Sequence, residues 1–446
     1  LVDLLIENGL IVTMDKDRRI YKKGSVAIED GKIKAVGRFK RKGKPDEVID
    51  ARGKIVMPGL ICAHTHMYGM LLRGAPLKIE PPMDFSQILQ RVWWPMDEVM
   101  TKRDAQASAL VSCLEFIKTG TTFFADTYSG PESITGVLDR IASGVQESGI
   151  RGLIAFEATE RATHAQGAKG IHENVRFIKK IKKKRRSRVQ GMISIHASFT
   201  VSDELLRYGR RIASRYKVPL TIHTSEGLID PCHNLERYGK RTVERFHEVG
   251  LLGPDVVLTH CVHVNDDELG LIKESGAKVA HNPMSNMLNG VGVAPVPKMQ
   301  MMEIPVGLGN DGYIFDGFEN IRAAFLLHKV ALRDPRAISP MEVLEMATVR
   351  GAELYGLGDK LGSLEEGKLG DVIIVNPSIA PTPLRPESVV GHIVNTVDGD
   401  DVETVIVGGH IVMRNRKVLT LDEKEVVEMS RKSAKKLWQK LGAIRG

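Results

Sequence analysis

The sequence predicts an α/β protein in which a (β/α)8 barrel carries a small β-sandwich domain built from both chain ends. From about residue 59 to residue 367, short apolar strand-like segments alternate eight times with helix-length segments. The first 58 residues and the stretch 368–420 have a different texture, β-branched runs broken by turn dipeptides. With 446 residues, the chain has room for a barrel of roughly 250 residues plus an accessory domain.

In order, LLIENGLIVTM, SVAIEDGKIKAVG and EVIDARGKIVM read as strands of the N-terminal half-domain, 1–58, with Asn8-Gly9 and Asp30-Gly31 as hairpin turns. The barrel, 59–367, has expected strands at GLICAHTH, TTFFADT, RGLIAFEA, MISIHASFT, PLTIHTSE, VVLTHCVH, KVAHNP and PVGLGND, with helices such as TKRDAQASALVSCLEFIKTG between them. DVIIVNP and TVIVGGHIVMRNRKVLTL, around Gly408-Gly409, return to the first texture over 368–420, so the barrel reads as an insertion into one composite domain. The tail, 421–446, has helical spacing through Val427, Leu437 and Leu441 and reads as a packing helix anchored by Trp438.

Composition excludes several classes. With 42% hydrophobic and 26% charged residues the chain is not globally disordered, and its 43 glycines and 20 prolines show no collagen-like period. No apolar run of about 18 residues and no signal-peptide pattern is present, so no membrane partner is expected and cytoplasmic localisation is the default. Cys62, Cys113, Cys232 and Cys261 lack CxxC spacing, which suits a reducing compartment. The net charge of +8 sits in one run, Lys179 to Arg188, because without its eight bases the chain has 55 basic against 55 acidic residues. A global nucleic-acid surface is therefore not expected. The run reads as a solvated helix end before a strand, with a short phosphate- or RNA-tethering patch as the alternative.

The strongest chemical feature is His64-Thr65-His66 at the end of the first barrel strand. Residues two apart on a strand share a face, so both imidazoles can converge on one ion. His223, His260 and Asp311 fall at the C-terminal ends of three other strands, the end where barrels build active sites. Histidine and aspartate ligands suit one divalent ion, zinc first, with iron or manganese as competitors.

The motifs VMPGLICAHTH (56–66), HASFT (196–200), HTSE (223–226), HCVH (260–263), HNPMSN (281–286) and GLGNDG (307–312) run in order along most of the chain. Together they resemble the amidohydrolase superfamily, in the branch of methylthioadenosine and adenosylhomocysteine deaminases and triazine hydrolases, and most of all its SsnA-like aminohydrolases. The resemblance implies that His64, His66, His223 and Asp311 hold one metal and that Glu226 is the proton shuttle. It implies that His260 orients or helps deprotonate the attacking water, with a fourth histidine ligand or a packed strand residue as alternatives. Binuclear relatives carry a carboxylated lysine on the fourth strand, which here reads MISIH, so a mononuclear site is implied.

The implied reaction is a cyclic-amidine deamination. Metal-activated water attacks an amino-substituted aromatic N-heterocycle such as an aminopurine or its nucleoside, Glu226 protonates the ring nitrogen, Asp311 accepts the released proton, and ammonia leaves. His196 and His281 resemble pocket positions, and Trp93, Trp94 and Asn286 are candidate substrate contacts, each with a packing role as the alternative. Arg161 is a candidate cation for the carboxylate of adenosylhomocysteine, with a surface role as the alternative. The chain reads HNPMSN where adenosine-type deaminases carry HCPxSN, which leaves open hydrolysis of another C–N or C–Cl bond on a heterocycle, or a non-catalytic metal-containing accessory protein. A homodimer or higher homo-oligomer is compatible with the sequence, which shows no seam.

Overall fold

The computed structural model describes residues 3–39, 44–184, 187–377 and 380–442. Each of the eight apolar segments forms a strand, at Leu60–Thr65, Thr121–Tyr128, Arg151–Ala158, Ile193–Ala197, Leu220–Thr224, Val256–His260, Lys278–His281 and Val306–Leu308. Strands adjacent along the barrel are paired in parallel. They are buried almost throughout, which is why they read as continuous apolar runs.

The eighth strand meets the first through an isolated parallel bridge between Thr65 and Asp311. There the backbone N–H groups of Asn310 and Asp311 donate to His64 O at 2.9 and 3.2 Å, and His66 N donates to Asp311 O at 2.8 Å. The barrel is thus closed by the backbone of residues that the motifs single out. Beside the fourth strand, the short strand Val189–Gly191 adds to the third.

The chain ends form one separate nine-stranded sheet. Its halves join where Ile55–Pro58 pairs antiparallel with Val372–Val375. Asp30-Gly31 and Gly408-Gly409 are hairpin turns with both residues of each pair in the left-handed region. Asn8-Gly9 departs from expectation, for it lies inside the strand Leu4–Val12 as a bulge and reverses nothing. That strand pairs with Glu47–Asp50 on one side of the bulge and with Ile55–Pro58 beyond it. Asn8 takes φ 65° to make the offset.

Among the described residues of the basic run, Lys179, Lys180 and Lys182 end the helix His164–Lys182, and Arg188 donates to Gly149 O at 2.9 Å ahead of Val189–Gly191. Arg185 and Arg186 lie outside the described residues. The helix Glu423–Lys440 lies against Lys102–Lys118, with Ser433 Oγ donating to Asp104 at 2.7 Å and Trp438 Nε1 to Leu71 O at 2.8 Å. No helix among the described residues is long and apolar enough to cross a membrane.

Gly309 links the eighth strand to the closure. A Cβ there would lie 2.2 Å from Asn282 Oδ1 and 2.7 Å from His64 O, and the backbone side of that contact cannot yield. Gly309→Ala is expected to cost about 1–3 kcal/mol in a urea titration. Gly391→Ala, in a short helix with open space around it, is expected to be neutral or slightly stabilising.

Candidate metal centre and active site

At the C-terminal mouth of the barrel, side chains from five strand ends converge. The donor atoms of His64, His223, His260 and Asp311 lie within 4.8 Å of one another, as do those of His66, Glu157 and His223. All six residues are buried. Asp311 Oδ1 is 3.5 Å from His64 Nε2 and 3.2 Å from His66 Nε2.

Hydrogen bonds behind the rings set which nitrogen carries the proton. His66 Nδ1 is 2.9 Å from Thr127 O, and His223 Nδ1 is 2.8 Å from His196 O. A carbonyl oxygen only accepts, so both Nδ1 atoms donate, and a ring that carries one proton turns a bare Nε2 lone pair into the site. Those two Nε2 atoms are 3.2 Å apart. Facing lone pairs at that separation repel unless a proton or a cation lies between them. His64 Nε2 is buried with no hydrogen-bond partner. The donors present therefore fit a divalent ion, and the carbonyls of Thr127 and His196 are the outer supports that ligating histidines use.

The site's electrostatics agree with this division. Burial pushes His64 well below the usual imidazole range and His260 down to about 4, so both rings are neutral at physiological pH. Burial opposes ionisation of Asp311, but His64, His66 and His260 outweigh it and hold the carboxyl well below its usual range. Burial, reinforced by the charge of Asp311, lifts Glu226 well above the usual range. Of the carboxyls in this cleft, Asp311 is thereby held toward its ionised form and Glu226 toward its protonated form.

The backbone turns sharply at these strand ends. Ser225, His260 and Asp311 take φ 48°, 75° and 60°. Non-glycine residues held in this region cost about 1–3 kcal/mol each and persist where surrounding structure fixes them. At His260 and Asp311, glycine would relieve that cost and remove the functional side chain.

A cleft over these groups is walled by Tyr68, Phe85, Leu89, Trp93, Trp94 and Phe199, and His66, His196, His223, Glu226 and Asp311 open into it. Trp93 and Trp94 thus take the wall positions considered for them, and His196, its Nδ1 2.8 Å from Thr200 Oγ1, lines the cleft as expected of a pocket residue. Three of the substrate candidates are placed elsewhere. His281 is buried outside the lining with its ring 5.1 Å from that of His328, because it turns away from the mouth. Asn286 faces His260 Nδ1 at 2.8 Å and supports that ring. Arg161 is tied to Asp97 at 2.7 Å and stacks 5.1 Å from the Trp94 ring, so its charge is already engaged.

Four polar lining residues were missed from the sequence, namely Asp97, Glu157, Asp230 and Asn289. Glu157 left a signal, an acid inside the apolar strand RGLIAFEA, and it lies 3.5 Å from His223 Nδ1. Burial raises the Asp97 and Asp230 carboxyls, each to about 7. The segment HNPMSN leads from the strand Lys278–His281 into a short helix, Pro283–Leu288, and Ser285 Oγ from that helix donates to Asp311 Oδ2.

Residues 55–412 match the model of the Amidohydrolase family. The chain belongs to the amidohydrolase family. This amidohydrolase is 37% identical over 444 residues to the 5'-deoxyadenosine deaminase of Methanosarcina mazei, covering 98% of this chain and 99% of that one. It is 34% identical over 441 residues to the 5-methylthioadenosine/S-adenosylhomocysteine deaminase of Syntrophobacter fumaroxidans, covering 96% and 97%. Its fold superposes on a zinc-bound adenosine deaminase from Xanthomonas campestris with a TM-score of 0.89 and 24% identity, over 98% of both chains.

The donor geometry makes a metal-retention prediction. His223→Ala and Asp311→Asn are each expected to abolish stoichiometric zinc retention after dialysis, measured by elemental analysis. Asn286→Ala, which removes only the support of His260, is expected to retain the metal.

Proposed function

We propose that this amidohydrolase is a zinc-dependent deaminase of a 6-aminopurine carried on a neutral sugar, of the 5'-deoxyadenosine type. The observation that carries this reading is a proton-holding Glu226 opening into the same cleft as His66, His223 and Asp311, with its Oε2 3.4 Å from His260 Nε2. We assign the ion to His64, His66, His223 and Asp311; when bound, it supplies a water of lowered pKa. The names of the relatives support an adenosine-type ring.

The chain's own groups account for the proton movements. His260, with its proton on Nδ1 facing Asn286, presents Nε2 as an acceptor that orients the attacking water. Glu226 delivers its proton to the ring nitrogen beside the attacked carbon as the water oxygen adds there. Ionised Asp311 takes one proton of the water and passes it to the amino group; the remaining hydroxyl proton returns to Glu226 as the C=O bond forms and the C–N bond breaks, and ammonia leaves. Trp93, Tyr68 and Phe85 supply apolar faces for a planar ring.

The rest of the lining favours an uncharged substituent. Asp97, Glu157 and Asp230 line the cleft, no lysine or arginine does so among the described residues, and Arg161 is held by Asp97. A nucleoside with hydroxyl donors fits that wall, whereas an amino-acid carboxylate meets no free cation.

Ammonia release by the zinc-loaded protein is the test, across 5'-deoxyadenosine, methylthioadenosine, adenosine and adenosylhomocysteine. The first three are expected to turn over and the last to have the lowest kcat/KM. Glu226→Gln is expected to lower kcat by about 10²–10⁴-fold. Because the working form of Glu226 is protonated and burial raises its pKa, that form persists on the acid side and is lost as pH rises through the raised value. The Glu226 limb of the kcat/KM profile is therefore expected to be the alkaline one. Absence of ammonia from the whole panel with zinc in place contradicts the reading.

A further inference from the structure

The helix Pro283–Leu288, with Asn289 as its C-cap, reaches three strand ends at once. Asn286 faces His260, Ser285 Oγ donates to Asp311 Oδ2, and Asn289 Nδ2 lies 3.2 Å from Ser285 Oγ and 3.5 Å from Glu226 Oε1. The Ser285 hydroxyl has a single proton, and Asp311 takes it, so Ser285 Oγ meets Asn289 only as an acceptor. This fixes the amide, with Nδ2 turned to Ser285 and Glu226 and the carbonyl Oδ1 left over. Asn289 is half-buried and lines the cleft beside Glu226. Both of its side-chain hydrogen bonds among the described residues use Nδ2.

We propose that Asn289 is a positioning and specificity-determining residue: Nδ2 steadies the Glu226 carboxyl, and Oδ1 accepts an N–H from the substrate ring at the position next to the nitrogen that Glu226 protonates. The inference rests on the deaminase reading above and goes beyond it by naming a ring substituent. In a 6-aminopurine the protonated nitrogen is N1, and its neighbour on the side away from the attacked carbon is C2. A hydrogen on C2 offers Oδ1 no useful donor. An amino group on C2 offers an N–H. The favoured ring is a 2,6-diaminopurine, deaminated at C6, over a ring with hydrogen at C2.

The test compares kcat/KM for ammonia release from 2,6-diaminopurine riboside and from adenosine, using the zinc-loaded full chain. The wild type is expected to favour the 2-amino ring by about 3- to 10-fold, the size of one neutral hydrogen bond. Asn289→Leu removes donor and acceptor, so the preference is expected to vanish while kcat falls on both substrates and zinc content stays unchanged. Asn289→Asp keeps an acceptor and loses the Nδ2 donor, so the preference is expected to survive while kcat falls. A wild type with no preference for the 2-amino ring, or a preference that persists in Asn289→Leu, overturns the assignment while the deaminase reading stands. If Asn289→Leu does not fold, the wild-type ratio and Asn289→Asp decide. Ammonia from neither ring in the wild type overturns the deaminase reading, and this inference falls with it.

Discussion

The Nε2 atoms of His66 and His223 are held 3.2 Å apart in a buried site, each ring with its Nδ1 turned to a backbone carbonyl, and much of the surrounding structure keeps them there. Left alone, the contact is unfavourable twice over, through lone-pair repulsion and through burial of acceptors that have lost their water. The carbonyls of Thr127 and His196 prevent either ring from flipping its proton inward. Asp311, ionised beside them, makes the site a place for positive charge. A divalent ion converts these costs into ligation.

The barrel serves that arrangement through its closure. The His64 carbonyl accepts from both Asn310 and Asp311, and the Asp311 carbonyl accepts from His66, so the first and eighth strands are joined by the backbone of three of the clustered donor residues. The placement of the His64, His66 and Asp311 side chains therefore depends on the barrel closure. The left-handed backbone at His260 and Asp311 belongs to the same economy, because the strand must end abruptly for each side chain to turn into the mouth. The helix Pro283–Leu288 then ties His260, Asp311 and Glu226 to one short element, which lets three strands act as a single rigid site.

The eight barrel strands were legible because each is a short apolar run, and most lead into polar residues at or just past their C-terminal ends. That rule reached His64, His66, His223, His260 and Asp311. It failed at His281, which also ends a strand but packs against His328 on the helix Gly317–Leu332, since the run alone does not say toward which side its last residue points. Asn8-Gly9 has turn chemistry without a turn, because the same left-handed conformation serves a bulge where one strand changes partners. Asp97 and Arg161 are 64 residues apart and meet only through the fold, so neither the pair nor the neutralisation of Arg161 left a local signal. Asn289 was hidden for a similar reason, since Glu226 lies 63 residues away in sequence and meets its Nδ2 only through the fold.

Thermal unfolding of metal-stripped protein, followed with and without added zinc, tests the central claim most directly. If the buried cluster is completed by a divalent ion, zinc binds the folded chain and raises Tm progressively with the logarithm of its free concentration above Kd, with stabilisation of about 4 kcal/mol at a thousandfold excess over Kd. Glu226→Gln, outside the ligand set, should show the same rise. An unchanged Tm at millimolar zinc, with no metal retained after dialysis, would contradict the account.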